Sequence, residues 1–310
     1  MLTAKQLLER RKHLGASDVA ALFGLDPFKT ATDVWFSKAF ELTVTEPSQQ
    51  SDAIEMGNDF EAPLLGFAAR ELNVQISTEP DDLFAICEDH PIFAATLDAR
   101  IMPKAIKEAI EAKTTSSASE YGEEGGDQVP DRVNIQVQAQ MLAHNLDRVH
   151  VVALIGRMGL KRQLFKVNRN EKIISAIIEK GEAFWRNYIE TKLQPPESEF
   201  GLGSLEIIKR VIRVPQTWAE IDEALILDWD AKRKARLDAQ KAEETALERM
   251  LTPLKDAEGV HLSDGRTLEY LPTTKSILDQ KKLKTEEPKL YEQYLRESTS
   301  RTPRLKGGIE

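Results

Sequence analysis

Apolar residues recur at helical spacing in several segments of the chain. In residues 53–73, Phe60, Leu64 and Phe67 lie three or four positions apart, which places them on one face of an amphipathic helix. The same periodicity predicts helices at other places along the chain, namely within residues 14–24, 30–40, 133–146 and 170–192. Short apolar runs predict strands between these helices, at residues 84–86, 92–102, 149–155 and 162–169.

The order of these elements predicts the fold class. Helices come first, then strands interrupted by a helix, then helices again, which is typical of an α+β fold with a mixed sheet flanked by helices. The segment "LQPPESEFGLGS" (193–204) is rich in Pro, Gly and Ser and predicts a linker. We therefore divide the chain into a core domain, residues 1–200, and a helical C-terminal extension, residues 201–310, with a small hairpin at "SDG" (263–265).

Residues 104–115 are ambiguous between helix and strand. Lys104 and Glu108, and likewise Lys107 and Glu111, are spaced four apart, as in a helix stabilised by ion pairs. In a helix, Glu111 and Lys113 would point roughly 200° apart around the axis and could not serve one site. In a strand, residues two apart share a face and the two side chains would project together.

Composition narrows the function classes. The chain has 310 residues, 41% hydrophobic and 30% charged, and shows neither a membrane-length apolar run nor a signal peptide, so we expect a cytoplasmic protein without a membrane span. The lone cysteine, Cys87, excludes an internal disulfide and a multi-cysteine zinc or iron–sulfur centre, and the five histidines are scattered. A hard, oxygen-ligated cation is the metal that this sequence favours.

The charge balance bears on nucleic-acid binding. A formal net charge of −9 argues against a general nucleic-acid coat, because such binding depends on Lys and Arg displacing counterions. A focused basic surface is still compatible with a negative net charge. Residues 155–169 contain Arg157, Lys161 and other basic residues and no acid.

If residues 110–115 form a strand, carboxylates from several segments can converge. Asp98, near the end of the preceding strand, and Glu111 can then share a divalent cation, with Lys113 beside the reacting water or phosphate. Glu61 lies among apolar residues of the 53–73 helix, where it is either a further metal ligand or an acid at the rim of the helix face.

Ordered motifs along residues 10–190 resemble those of the YqaJ-type viral recombinase nucleases, relatives of lambda exonuclease in the PD-(D/E)XK superfamily. The stretches that carry the resemblance are "RRKHLGASDVAALFGLDPFKTATDVW" (10–35), "MGNDFEAPL" (56–64), "HPIFAATLDARI" (90–101), "IEAKTT" (110–115) and "QVQAQMLAHNLDRVHVVALIG" (136–156). The resemblance implies a restriction-endonuclease-like core and favours the strand for residues 110–115.

The resemblance also implies roles for single residues. Asp98, Glu111, Glu61 and the carbonyl of Ala112 correspond to the ligands of Mg²⁺, for which Mn²⁺ can substitute, and Lys113 corresponds to the catalytic lysine. Further residues correspond to DNA-binding or 5′-phosphate-binding positions, namely Arg10, Ser17, Gln136 and Gln138, with Arg157 and Lys161 expected in a DNA channel. Ser17 or Asp18 can alternatively cap the helix that follows, and the two glutamines can be polar outer positions of a helix.

The function implied by the resemblance is a Mg²⁺-dependent exonuclease of a phage or prophage. It would degrade linear double-stranded DNA from 5′ ends and leave a 3′ single strand for a single-strand annealing recombinase. Relatives form rings around DNA, usually trimers, so the resemblance implies a homo-oligomer. The alternatives are an endonuclease of the same fold and a catalytically idle DNA-binding or scaffold protein.

Overall fold

The computed structural model describes residues 11–43, 52–116, 119–157 and 159–295, with 303 and 305. These residues divide into two compact units, the first ending at Arg213 and the second beginning at Val214. The sequence also predicts a short helix over residues 3–13, and most of that segment lies outside the described residues.

The first unit has a central sheet and a smaller one. The strands of the central sheet, in spatial order, are β2 (Gln75–Ser77), β5 (Ala99–Met102), β6 (Glu108–Thr115), β7 (Arg148–Arg157) and β8 (Gly159–Asn168). The smaller sheet has the order β1 (Leu14–Gly15), β4 (Phe93–Thr96) and β3 (Phe84–Ile86). In the central sheet β6 and β7 are parallel and the other neighbours are antiparallel, so the sheet is mixed.

Helices flank the sheets. In chain order the helices of the first unit are α1 (Ala16–Leu22), α2 (Ala31–Ala39), α3 (Asp52–Leu72), α4 (Pro80–Leu83), α5 (Asp131–His144), α6 (Glu171–Phe184), α7 (Glu197–Phe200) and α8 (Leu205–Arg210). α6 continues into a π-helical turn, Trp185–Ile189. The predicted fold, a mixed sheet flanked by helices, is confirmed.

The middle of the central sheet, at β6 and β7, is buried on both faces. On one face, Ile110 and Val152 pack with Leu64 and Ala68 of α3. On the other, Ala109, Val151 and Phe165 of the sheet pack in one cluster with Val137 and Met141 of α5. Because successive residues of a strand point to opposite faces, β6 contributes to both cores.

The chain changes sheets between β4 and β5. We predicted one strand over residues 92–102, but β4 ends at Thr96 in the small sheet and β5 begins at Ala99 in the central sheet. An apolar run alone cannot show such a change, because both strands are buried. Asp98 lies in the short connection between them.

α1 begins differently from the prediction. The residue before the helix is Gly15, so Ser17 and Asp18 lie inside the first turn and neither is the N-cap residue. Asp18 nevertheless accepts the backbone N–H of Gly15 at 2.9 Å. It also pairs with Lys29 and, at 2.7 Å, with Lys38 of α2, and its side chain is only 7% exposed.

The Asp18 ion pairs connect α1, the following loop and α2. Burial by itself would raise the pKa of Asp18, but the charges and hydrogen bonds of Lys29 and Lys38 outweigh burial and hold that pKa well below its usual range. The charged form of Asp18 therefore stabilises the folded chain.

The C-terminal region consists of a long helix and smaller elements. The second unit contains α9 (Glu223–Leu251), an antiparallel hairpin of β9 (Gly259–His261) and β10 (Thr267–Glu269), α10 (Gln280–Glu286) and α11 (Pro288–Gln293). The predicted hairpin at "SDG" is confirmed. None of the described helices combines the length and apolar composition that a membrane span requires.

Residues 201–213 pack within the first unit. A Cβ on Gly203 would lie 2.7 Å from the ring of Phe36 in α2, so the backbone approaches α2 closely there. Leu42 and Val211 form an antiparallel bridge. The division at Arg213 therefore lies C-terminal to the boundary that the linker composition indicated at residue 200.

Asp18→Asn should lower the free energy of unfolding by about 3–5 kcal/mol at pH 7, because the buried ion pair with Lys38 would lose its negative charge. The pKa of Asp18 is lower in the folded than in the unfolded chain, so its stabilisation is present above about pH 4 and is lost as the pH falls further. Urea unfolding of parent and variant from pH 7 to acid pH measures the difference, which should narrow below about pH 4. Asp81→Asn, at an exposed carboxylate, is the control, and a parent–variant difference that stays constant through the acid range would contradict the assignment.

Candidate active site

β6 is extended throughout Glu108–Thr115, so the predicted strand is confirmed and begins two residues earlier than residue 110. Glu111 and Lys113 therefore share one face, and Lys113 Nζ donates to Glu111 Oε1 at 2.6 Å. Glu111 is buried, with its side chain 3% exposed, whereas 26% of the Lys113 side chain is exposed. The pair has the arrangement that the strand interpretation required.

Asp98 is held against the same strand. Its Oδ2 accepts the backbone N–H of Ala112 at 2.8 Å, so the connection between the two sheets is tied to the residue between Glu111 and Lys113. Burial and the nearby charge of Glu111 raise the pKa of Asp98 well above its usual value, against the opposing effects of the Ala112 N–H and of Lys113. The structure thus brings Asp98, Glu111 and Lys113 together.

Lys113 is held in its charged form. Burial would lower the pKa of Lys113, but the charge of Glu111, its hydrogen bond and the charge of Asp98 outweigh burial, and the pKa is raised. Lys113 is therefore a fixed cation at neutral pH. Such a group can stabilise negative charge on a phosphate, and it is a poor general base.

Two glutamines of α5 complete the environment of Glu111. Gln136 Nε2 donates to Glu111 Oε1 at 2.7 Å, and Gln136 Oε1 accepts from Lys113 Nζ at 3.0 Å. Gln140 Nε2 donates to the other oxygen, Glu111 Oε2, at 2.7 Å. Residues four apart in a helix share a face, so Gln136 and Gln140 reach Glu111 together.

The structure does not place Gln138 in this site. Its Nε2 donates to the carbonyl of Asn168 at 2.9 Å and its Oε1 accepts the backbone N–H of Asn170, so it fastens α5 to the connection between β8 and α6. The sequence interpretation chose Gln136 and Gln138 and missed Gln140. Residues two apart share a face in a strand, whereas residues four apart share a face in a helix. The spacing of four residues between Gln136 and Gln140 was therefore the signal that could have identified Gln140.

Glu61 is carried by α3, a different helix from the one whose glutamines contact Glu111. α3 packs on the face of the sheet that carries Ile110 and Ala112, whereas Glu111 contacts α5 on the opposite face. Burial and the charge of Glu111 raise the pKa of Glu61, with Lys113 opposing, so Glu61 lies within electrostatic range of the site. Within the part of the chain that the structure describes, no group of three or more acidic, His or Cys side chains forms a ready-made metal cage.

The donor set suits a divalent cation of the hard class. Carboxylate oxygens of Asp98 and Glu111 are the ligands that Mg²⁺ and Mn²⁺ prefer. The negative charge of Glu111 contributes to the raised pKa of both Asp98 and Glu61. A cation would relieve this repulsion. Gln140 Oε1, buried beside the cluster, also has no hydrogen-bond partner.

Ser17 and Asp98 line the same small cavity. A cavity of about 200 Å³ is bounded by His13, Ser17, Phe84, Asp98 and Gln136, together with backbone of the small sheet. His13 Nδ1 is 2.7 Å from the carbonyl of Pro91, and its Nε2 is buried without a partner. His13 and Phe84 were missed, because no sequence pattern joins them to Asp98. Arg10 lies outside the described residues.

The positive charge of the hairpin formed by β7 and β8 is partly neutralised by a neighbouring acid. Residues 156–161, which lie between the two strands predicted at 149–155 and 162–169, mostly extend β7 and β8, and residue 158 is outside the described residues. Lys161 pairs with Glu124 at 3.4 Å, and the guanidinium of Arg162 lies 4.2 Å from the ring centre of Phe67. Lys161 does not line the Asp98 cavity, and the side chain of Arg157 lies outside the described residues.

Residues 7–146 match the family described as "YqaJ-like viral recombinase domain". The match contains β1 to β6 and α5, and with them Asp98, Glu111, Lys113 and both glutamines that contact Glu111. This segment is similar to that viral recombinase family. It ends before β7, whereas the motif resemblance extends to about residue 190.

The chain also resembles one relative over most of its length and two solved structures. It is 25% identical over 307 residues to "Uncharacterized protein YqaJ" of Bacillus subtilis (strain 168), covering 94% of this chain and 90% of that protein. The alkaline exonuclease LHK-Exo of Laribacter hongkongensis is similar over 61% of this chain and 94% of that one, with 14% identity and a TM-score of 0.45. A phage-related exonuclease from Haemophilus somnus 129PT is similar over 58% and 95%, with 12% identity and a TM-score of 0.42.

Gln140→Met should weaken Mn²⁺ binding by about 10- to 100-fold, because the donor that orients Glu111 Oε2 is lost while the side-chain volume is nearly kept. The fraction of free Mn²⁺, measured by paramagnetic resonance, reports this without any activity assay. Gln138→Met is the matched control on the same helix. It should lower the melting temperature through loss of the Asn168 and Asn170 contacts and leave Mn²⁺ binding unchanged. Equal Mn²⁺ affinities for parent and Gln140→Met would remove the positioning role.

Proposed function

We propose that the protein is a Mg²⁺-dependent deoxyribonuclease that degrades linear double-stranded DNA from its 5′ ends and leaves a 3′ single strand. The observation that carries the proposal is the cluster on β6: an acid and a charged lysine 2.6 Å apart on one face, with Asp98 bound to the residue between them. The similarity of residues 7–146, which contain this cluster, to the YqaJ-like viral recombinase domain supports a role in DNA recombination.

Each residue of the cluster has a role in phosphodiester hydrolysis. Asp98 and Glu111 would hold the cation, with the Ala112 carbonyl and Glu61 as the further proposed ligands. The bound cation would act as a Lewis acid toward the phosphodiester. Lys113, charged and in contact with Glu111, stabilises the negative charge that develops on the phosphate. Gln136 and Gln140 hold Glu111 by both of its oxygens.

The small cavity supports attack at a chain end. Ser17 and Asp98 line the same space of about 200 Å³, which is suited to a terminal nucleotide better than to a continuous duplex. In the proposal, Ser17 and Arg10 bind the terminal 5′-phosphate, since a hydroxyl and a guanidinium both donate to phosphate oxygens. Mn²⁺ can substitute for Mg²⁺, because both cations accept oxygen ligands.

The proposal includes a cellular setting. A phage or prophage protein in the bacterial cytoplasm would pass its 3′ strand to a single-strand annealing recombinase. A homo-oligomeric ring, a trimer by resemblance, would allow a chain of net charge −9 to keep hold of DNA by enclosing it.

Lys113→Met should reduce Mg²⁺-dependent release of nucleotides from linear duplex DNA by at least about 100-fold, because the cation beside the reacting phosphate is removed. Lys107→Met, at an exposed lysine near the start of the same strand, is the control and should keep the parent rate. Binding of DNA by Lys113→Met, measured by anisotropy in EDTA, verifies that only the chemistry has changed. A Lys113→Met protein that digests DNA at the parent rate would leave a binding or scaffold role as the alternative.

Digestion of a duplex with a different label at each 5′ and 3′ end should release the 5′ labels first, and faster from ends that carry a 5′-phosphate. Ser17→Ala should reduce the advantage of phosphorylated ends and leave the slow rate on unphosphorylated ends unchanged. A covalently closed circle should stay intact, and the appearance of nicked circles would indicate an endonuclease instead.

A further inference from the structure

A larger groove adjoins the candidate site. It has a volume of about 1160 Å³ and passes over the carboxyl end of β6, where Thr114 and Thr115 directly follow Lys113. We call it the Phe28 groove and define it by the residues that form its walls, namely Phe28, Met56, Phe60, Tyr121, Arg132 and Leu160. Two residues that line the groove therefore directly follow Lys113, the residue proposed to contact the scissile phosphate.

Phe28 presents an aromatic ring to solvent from a fixed loop. The side chain is 86% exposed, although the backbone around it is well anchored. Its N–H donates to Asp26 Oδ1 at 2.8 Å, the neighbouring Lys29 pairs with buried Asp18, and Thr30 caps α2. An exposed ring on an anchored loop is available to a ligand at small cost in conformational entropy.

The walls of the Phe28 groove suit the faces of bases better than a phosphate backbone. Met56 and Leu160 expose 56% and 72% of their surface, so apolar groups line the groove on more than one side. Its charged lining residues are Glu120, Asp131 and Arg132, of which two are acids. Phosphates are bound through Lys and Arg, whereas unpaired bases stack on aromatic and apolar side chains.

We propose that the Phe28 groove binds unpaired bases of a DNA single strand next to the metal site, with Phe28 stacked on one base. This inference rests on the proposed function for its substrate class, DNA. The DNA strand that reaches the Lys113 cluster then also passes over Thr114 and Thr115 and lies in the groove. Stacking on Phe28 holds the separated strand and opposes its return to the duplex.

The binding of a short fluorescent oligothymidylate in EDTA tests the proposal without hydrolysis. Phe28→Ala should weaken this binding about tenfold, which is within the range for loss of one stacked base. The factor should be the same between about 50 and 200 mM salt, because stacking releases no counterions. Phe28→Trp should bind as the parent does, and its added tryptophan fluorescence should be quenched by the oligonucleotide.

Leu193→Ala is the matched control, since Leu193 is 63% exposed in the first unit and does not line the groove. It should bind the oligonucleotide as the parent does. Parent-like binding of the oligonucleotide by Phe28→Ala would overturn the inference. A difference in molecular mass between Phe28→Ala and the parent, measured by sedimentation, would also overturn it, because it would assign the ring to a contact between copies of the chain.

The two proposals fail separately. If the parent does not hydrolyse duplex DNA in Mg²⁺ but binds the oligonucleotide through Phe28, the nuclease function falls and the groove stands. If the parent hydrolyses DNA and Phe28→Ala matches it in both binding and hydrolysis, the nuclease function stands and the groove falls.

Discussion

The pairing of β6 with a strand on each side holds residues 108–115 extended, and the candidate site depends on this constraint. Parallel pairing with β7 covers the whole of β6, and β5 pairs with its first part. Helix propensities differ by fractions of a kcal/mol per residue, whereas Ala109 and Ile110 are fully buried on opposite faces of the sheet. Burial on both faces therefore outweighs the helical preference of "KEAIEAK", and Glu111 and Lys113 point the same way.

A buried carboxylate needs compensation, and the fold supplies it from one strand and one helix. Lys113 and Gln136 donate to one oxygen of Glu111, and Gln140 donates to the other. Three donors offset much of the cost of burying the charge. The same groups fix the direction of the carboxylate, so the requirement for stability and the requirement for a preorganised cation site coincide.

The Asp18 ion pairs connect the two ligand-facing regions. Asp18 follows Ser17, which lines the small cavity, and pairs with Lys29, which follows Phe28 in the larger groove. One buried carboxylate thus anchors segments that line both the small cavity and the larger groove. Its contribution to stability and its contribution to the shape of the site come from the same contacts.

The sequence by itself determined the mixed α/β class, most of the helices and strands, and the acidic and basic residues that converge, because these follow from periodicity and from ordered motifs. It could not decide between helix and strand for residues 104–115 from propensity alone. Tertiary structure decided that Asp98 lies where the chain changes sheets, that Gln140 rather than Gln138 reaches Glu111, that Gly15 precedes α1, and that α3 packs on the face opposite Glu111. These outcomes depend on which faces of distant elements meet in space, and that packing is set by contacts between residues far apart in the chain.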